Sequence, residues 1–166
     1  MMELTLVGLN HKTAPIALRE EIAFAEAALP CALQTLRNDF GFGEAMIIST
    51  CNRVEILVDN SRNGAPSDQI GAFLSQYHGV NPVRFAPHLY TFRKDDLVRH
   101  VFRVASSLDS MVPGEAQILG QIKQAYAIAQ DAGTIGKLLT RLIPHAFYVA
   151  KRVRRETQVG TSSVSV

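Results

Sequence analysis

Ala45-Met46-Ile47-Ile48-Ser49-Thr50-Cys51-Asn52-Arg53-Val54-Glu55-Ile56-Leu57-Val58 decides how this chain is read. Two apolar runs, each of strand length, flank four polar residues, so the stretch predicts paired strands joined at a short connection carrying a thiol. A cysteine at such a break is placed to meet a substrate, and Arg53 beside it could hold an acidic ligand or favour a thiolate. On the tetrapeptide alone, the commoner role of a free cysteine, a small buried hydrophobe at a strand end, is the leading reading.

Working outward, Glu3–Leu9 alternates and reads as a first strand, ending in the loop Asn10–Pro15 and a helix near Ile16–Ile22. A longer helix is expected from about Ala25 to Phe40, closed by Gly41 and Gly43. The strands Ala45–Ser49 and Val54–Val58 follow, and then a surface loop over Asn60–Ser67. Ser67 could cap a helix carrying Ile70, Phe73, Leu74 and Tyr77, and Val83–Phe92 reads as an edge strand interrupted by Pro87. The order β-α-β-β-α-β predicts an α+β fold, a ferredoxin-like split β-α-β antiparallel sheet with helices.

From Asp95 the apolar spacing is helical throughout. One stripe runs through Leu97, Val101, Val104, Ala105 and Leu108. A second helix is expected over about Glu115–Ala132, and a long third from near Ile135 to about Thr157, with Pro144 expected to kink or break it. After Gly160, the tail Thr161-Ser162-Ser163-Val164-Ser165-Val166 reads as a strand or linker cut short, which makes the chain a fragment.

The chain has 166 residues, 47% hydrophobic and 19% charged, the composition of a globular protein rather than a disordered one. Its net charge of +2 is uneven: residues 1–83 hold 5 Lys+Arg against 9 Asp+Glu, residues 84–166 hold 12 against 6. A basic second half suggests an acidic partner or a polyanion. Cys31 and Cys51 make no disulfide framework, and Cys31 reads as structural. With no signal peptide and no bilayer-length apolar run, a cytoplasmic location and no membrane partner are expected. The five histidines are scattered without metal-ligand spacing, so no metal is expected.

Several residues could do chemistry. His100 lies beside the apolar stripe of its helix, where an imidazole can reach a cleft edge or be satisfied by a backbone group. Gln117, Gln121 and Gln124, at i, i+4 and i+7, form an amide stripe where solvated faces usually carry Lys and Glu; this hints at a polar ligand. Glu115 suits a helix start with or without function. Ser110 is either a turn residue or a ligand donor. Lys151–Arg155 is a basic run, read either as a solvated helix end or as a phosphate contact. No glycine-rich nucleotide loop or nucleophile elbow is present.

Gly8-Leu9-Asn10-His11-Lys12-Thr13-Ala14-Pro15, Ser49-Thr50-Cys51-Asn52-Arg53-Val54-Glu55, the block from Leu97 to Val112 and its continuation Gly114–Lys123 together resemble glutamyl-tRNA reductase, from Val7 to the end of the chain. The resemblance makes Cys51 a nucleophile. It implies NADPH-dependent reduction of glutamyl-tRNA to glutamate-1-semialdehyde through a cysteine thioester, the first step of tRNA-dependent 5-aminolevulinate, haem and porphyrin synthesis. It divides the chain into a catalytic domain over 1–134, a connecting helix over 135–160 and, over 161–166, the start of an NADPH-binding domain. Cys51 and His100 are then catalytic. Thr50, Asn52, Arg53, Ser110, Glu115, Ala116 (through its backbone), Gln117 and Gln121 are substrate-binding, with Arg53 gripping a glutamate carboxylate. No residue of the chain is assigned to the cofactor, and His11 gets no role. Implied partners are glutamyl-tRNA, a second copy in a homodimer, and glutamate-1-semialdehyde aminomutase as a candidate recipient of the unstable aldehyde. A chain lacking the NADPH domain is expected to transfer or hydrolyse the glutamyl group and not to reduce it. The alternatives are a non-catalytic tRNA- or partner-binding domain and, ranked lower, a haem-binding regulatory one.

Overall fold

A computed structural model describes residues 3–59 and 64–158. Strands β1 (Leu4–Asn10), β2 (Ala45–Ser49), β3 (Arg53–Asp59) and β4 (Tyr90–Arg93) form one sheet in the order β2-β3-β1-β4. Every neighbouring pair is antiparallel, with Val7 opposite Ile56 and Ile47 opposite the same Ile56. β1 and β2 therefore run parallel on either side of β3, which is the split β-α-β arrangement expected. The β3 strand is buried along its whole length, including Arg53, Glu55 and Asp59.

Helices α1 (Ile16–Glu21), α2 (Leu29–Asn38) and α3 (Pro66–His78) supply the core residues Leu18, Leu33, Leu36, Ile70 and Phe73. Short α4 (Pro82–Phe85) precedes β4. Then α5 (Lys94–Ala105), α6 (Gln117–Asp131) and α7 (Lys137–Glu156) complete the described chain. Each buries one stripe: Leu97, Val101, Val104 and Ala105 on α5, Ile118, Ile122, Ala125 and Ala129 on α6, Leu139, Ile143, Ala146 and Ala150 on α7.

Four expectations need correction. Val83–Phe92 is not one strand: Asn81 caps the backbone N–H of Val83, Pro82 starts α4, and a 3-10 turn over Ala86–His88 leaves only Tyr90–Arg93 to pair. The pre-set φ of proline favours a helical first turn there over extension. The helix expected from Ala25 begins as a 3-10 turn, Glu26–Ala28, and becomes α-helical only at Leu29. Ala65, not Ser67, precedes α3, with Pro66 at its first position. Pro144, expected to kink or break the third helix, does not break α7, which runs on to Glu156. Pro144 and Thr140, whose carbonyl loses its usual i+4 donor, both lie on the exposed side while the buried stripe continues past. In addition, Cys31 is exposed on α2 rather than packed. Residues 60–63 of the expected loop and the whole of 161–166 lie outside the described residues.

One buried carboxylate seats α7. Glu44 Oε1 accepts from the backbone N–H groups of Gly136 (2.8 Å) and Leu139 (3.0 Å), and Oε2 from Leu138 (3.1 Å). These are donors that a helix start leaves without an internal acceptor. Beside it, Thr134 Oγ1 donates to the Ala45 carbonyl at 2.8 Å, and the Ala45 N–H donates to the Thr134 carbonyl at 2.9 Å.

Candidate active site

The connection between β2 and β3 is a tight polar turn. The Thr50 N–H donates to the Arg53 carbonyl at 2.8 Å, while Thr50 Oγ1 accepts from the Asn52 and Arg53 N–H groups, each at 3.2 Å. Two outside groups hold it: the His11 N–H donates to the Asn52 carbonyl at 2.9 Å, and Arg19 Nε to the Cys51 carbonyl at 3.2 Å. Arg19 is itself buried, with Nη1 on the Ala14 carbonyl at 2.7 Å. With its backbone fixed from behind, Cys51 is exposed at the apex of the turn.

Cys51 opens onto a narrow cleft of about 40 Å³ between this turn and the start of α6. Eight of the ten expected site residues line it: Thr50, Cys51, Asn52, Arg53, Ser110, Glu115, Gln117 and Gln121, joined by Ile118. Ala116 is exposed where α6 begins and lies outside the lining, as does His100.

Behind the cleft lies a buried polar cluster around Glu55, which is 1% exposed. Its Oε1 accepts from Arg53 Nη1 at 2.6 Å, Tyr90 Oη at 2.7 Å and His100 Nε2 at 2.9 Å. Room for this comes from Gly8, which lies opposite both Glu55 and Tyr90 in the sheet. A Cβ there would meet the Val54 carbonyl oxygen at 2.5 Å and Glu55 Cγ at 2.8 Å. Burial works to raise the Glu55 carboxyl, but the His100 hydrogen bond and the charges of His100 and Arg53 outweigh it and hold it below the usual range. Burial and the neighbouring Glu55 both push the Tyr90 phenol upward, so it stays a proton donor. The His100 ring packs against Phe92, with centroids 4.5 Å apart, and against Tyr90 at 5.5 Å. His100 thus reaches the cleft through Glu55 and Arg53 rather than directly.

The Arg53 fork, expected to grip a substrate carboxylate, has internal partners. Besides Glu55 it holds the Asp109 carbonyl through Nη2 at 2.6 Å and comes within 3.5 Å of Asp109 Oδ2. Asp109 Oδ1 accepts from Lys12 Nζ at 2.6 Å. Burial raises the Asp109 carboxyl, yet the Lys12 hydrogen bond and Arg53 bring it below the ordinary value.

The segment Ser106–Ala116, which carries Ser110 and Glu115, is tied at several points. Ser107 Oγ donates to the Glu115 carbonyl, the Gly114 N–H donates to the Ser107 carbonyl at 3.1 Å, and Arg154 Nη2 of α7 reaches the Gly114 carbonyl at 3.2 Å. Its turns use positive φ at Ser107 (62°) and Gly114 (88°). His11 is the odd member: its Nδ1 is buried without a partner, and burial first, then Arg53, lowers its imidazole.

Sequence reasoning missed Glu55, Tyr90, Asp109, Lys12 and Arg19 as parts of the site. The signal for Glu55 was present, since it is the lone carboxylate within an otherwise apolar run. Among the described residues, no group of three or more His, Cys, Asp or Glu could hold a metal, and no helix is long and apolar enough to cross a membrane.

An α+β domain that sets an exposed cysteine at the mouth of a polar cleft, braced by a buried Arg-Glu-His-Tyr cluster, is the class this fold and site define. The chain belongs to the glutamyl-tRNA reductase family: the model of the N-terminal domain of glutamyl-tRNA(Glu) reductase matches residues 7–157. It is 50% identical over 165 residues to the glutamyl-tRNA reductase of Magnetococcus marinus and 52% identical over 167 residues to that of Nitrosococcus oceani. Each alignment covers 99% of this chain and 39% of the relative, so the chain spans about two fifths of the length of these relatives. It is also similar to the solved glutamyl-tRNA reductase of Methanopyrus kandleri, with a TM-score of 0.82 and 32% identity over 99% of this chain and 37% of the other.

Proposed function

We propose that this chain carries the acyl-transfer half of glutamyl-tRNA reduction, the entry step of tRNA-dependent tetrapyrrole synthesis, with Cys51 as the nucleophile. The observation that carries this reading is the exposed Cys51 at a rigid turn, facing a cleft lined by amides, hydroxyls and one carboxylate. The Cys51 sulfur attacks the carbonyl carbon of the aminoacyl ester. A C–S bond forms, the C–O bond to the terminal ribose breaks, and the thiol proton ends on the departing ribose oxygen. The product is a glutamyl thioester and free tRNA.

Within the cleft, Glu115 is the carboxylate suited to the α-ammonium of the glutamyl group, and Ser110, Gln117 and Gln121 offer hydrogen bonds to its polar atoms. Arg53 stands at the floor with its guanidinium engaged by Glu55 and Asp109, and it fixes the turn that presents Cys51 to the cleft. His100, Tyr90 and Glu55 act through Arg53 as positioning residues.

NADPH would supply the hydride in such a reaction, but the residues present do not fit it. Among the described residues the sheet is antiparallel, without adjacent parallel strands joined by a glycine-rich turn. No reductive step is assigned to this chain.

The test is intact-protein mass spectrometry after mixing with glutamyl-tRNA. A glutamyl adduct on the peptide bearing Cys51, absent in Cys51→Ala, is the expected result. An unmodified protein with its ester substrate intact over hours, together with salt-sensitive tRNA binding, would replace this reading with a non-catalytic RNA-binding one.

A further inference from the structure

The amide stripe of α6 extends beyond the Cys51 cleft. Thr50 and Gln121 line the cleft and also line a second cavity of about 150 Å³, nearly four times larger, that continues along α6 to Gln124, Ala125 and Ile128. We propose that this second cavity is the subsite for the terminal nucleobase of the acyl donor. The proposal rests on the reading of Cys51 as the acyl acceptor and adds where the leaving group binds.

Three observations support it. The first is distance: from Gln117 to Gln124 the helix rises about 10 Å, the reach from a reacting acyl carbon across a ribose to its base. The second is charge. Among the described residues, Glu26 is the only charged side chain lining the cavity, and no Lys or Arg lines it. A carboxylate or a phosphate is repelled there, whereas a neutral ring bearing N–H donors is favoured. The third is the match of walls to edges. Leu29, Ile47 and Ile128 offer apolar surface to ring faces, and the polar groups lie together, with Gln124 Nε2 donating to Glu26 Oε1 at 2.7 Å. Every tRNA ends in adenosine, whose exocyclic amine is a donor suited to the Glu26 carboxylate and whose ring nitrogens accept from amides.

The experiment compares three glutamyl esters with one leaving-group chemistry: 3′-O-glutamyl-adenosine, 3′-O-glutamyl-inosine and a 3′-O-glutamyl methyl riboside lacking a base. The readout is the second-order rate constant for acylation of Cys51, followed by intact mass. The adenosine ester should react about tenfold faster than the riboside, with inosine, which lacks the exocyclic amine, in between. Gln124→Leu removes the amide and Ala125→Leu fills the cavity; each should shrink the adenosine-to-riboside ratio to about one. Because both esters use the same thiol, partial misfolding lowers both rates and leaves the ratio intact. Equal rates for adenosine and riboside in the unmodified chain, or a preference that survives both substitutions, would overturn the subsite while leaving Cys51 as acyl acceptor. Failure of every ester and of glutamyl-tRNA to label Cys51 would remove the functional reading and the subsite together.

Discussion

Replacing Glu55 with glutamine should be among the most damaging isosteric changes available in this chain. The side chain is 1% exposed, and a single oxygen, Oε1, takes hydrogen bonds from Arg53, Tyr90 and His100 at 2.6, 2.7 and 2.9 Å. Glutamine keeps the volume and one acceptor, but it removes the charge opposite a buried guanidinium and directs two N–H donors into a cluster already rich in them. Breaking a buried ion pair in this way costs about 3–5 kcal/mol. Arg53 retains its 2.6 Å contact with the Asp109 carbonyl and approaches the Asp109 carboxylate at 3.5 Å, which places the loss near the lower end, about 3 kcal/mol. For a chain of 166 residues this lowers the melting temperature by roughly 6–12 °C. Urea denaturation of Glu55→Gln, Arg53→Met and the double variant measures it, with the double variant less destabilised than the two single losses combined. The acid limb gives an independent check. The folded Glu55 carboxyl lies below its ordinary value of 4.5, so its stabilisation is complete above that pH and is lost as pH falls through the lower folded value. The unmodified chain should therefore lose stability on acidification below pH 4.5 more steeply than Glu55→Gln. A loss under about 1 kcal/mol, with strictly additive single variants, would refute the view of this oxygen as the hub of the site.

Four further outcomes are expected. Cys51→Ser should abolish glutamyl-adduct formation while Cys31→Ser, on exposed α2, leaves it in place, as read by peptide mapping. Gly8→Ala should destabilise by about 2 kcal/mol in chemical denaturation, because the new Cβ would fall 2.5 Å from the Val54 carbonyl oxygen, a backbone atom that cannot step aside. Glu44→Ala should cost about 2 kcal/mol and raise amide exchange at Gly136, Leu138 and Leu139, whose N–H groups it accepts at 2.8–3.1 Å, whereas Glu44→Gln should recover part of the loss. Lys12→Met should change stability by less than about 1 kcal/mol, since Lys12 is 59% exposed, yet speed amide exchange across 107–116 by freeing Asp109.

The sheet order was legible because its signals are local: two apolar runs bracketing Thr50–Asn52, alternation in β1, and helical spacing between them. The face of α6 was legible for the same reason, since amides at Gln117, Gln121 and Gln124 stand out beside Ile118, Ile122 and Ala125. Val83–Phe92 misled because its aromatic and β-branched content resembles a strand, while Asn81-Pro82 and Pro87 impose turns that composition does not register. Glu55 was hidden for a different reason. Its meaning depends on Gly8 and Tyr90 being placed opposite it, and on His100 arriving from α5, 45 residues away. The role expected of Arg53 shifted for the same cause: its motif position was plain, but its buried partners, Glu55 and Asp109, came from the fold.

The carboxylate of Glu44 has a mechanical consequence for α7. Twenty residues make a rod of about 30 Å, and this one is gripped at its first turn by a side chain from the edge of β2. A rod gripped at its start, packed along its buried stripe and tied near its end by Arg154 to the Gly114 carbonyl shares the frame of its mount, so its tip traces the sheet's orientation. Spin labels at Cys31 and at Lys151→Cys, with Cys51→Ser removing the other exposed thiol, should accordingly report one narrow interval, and Glu44→Ala should broaden it.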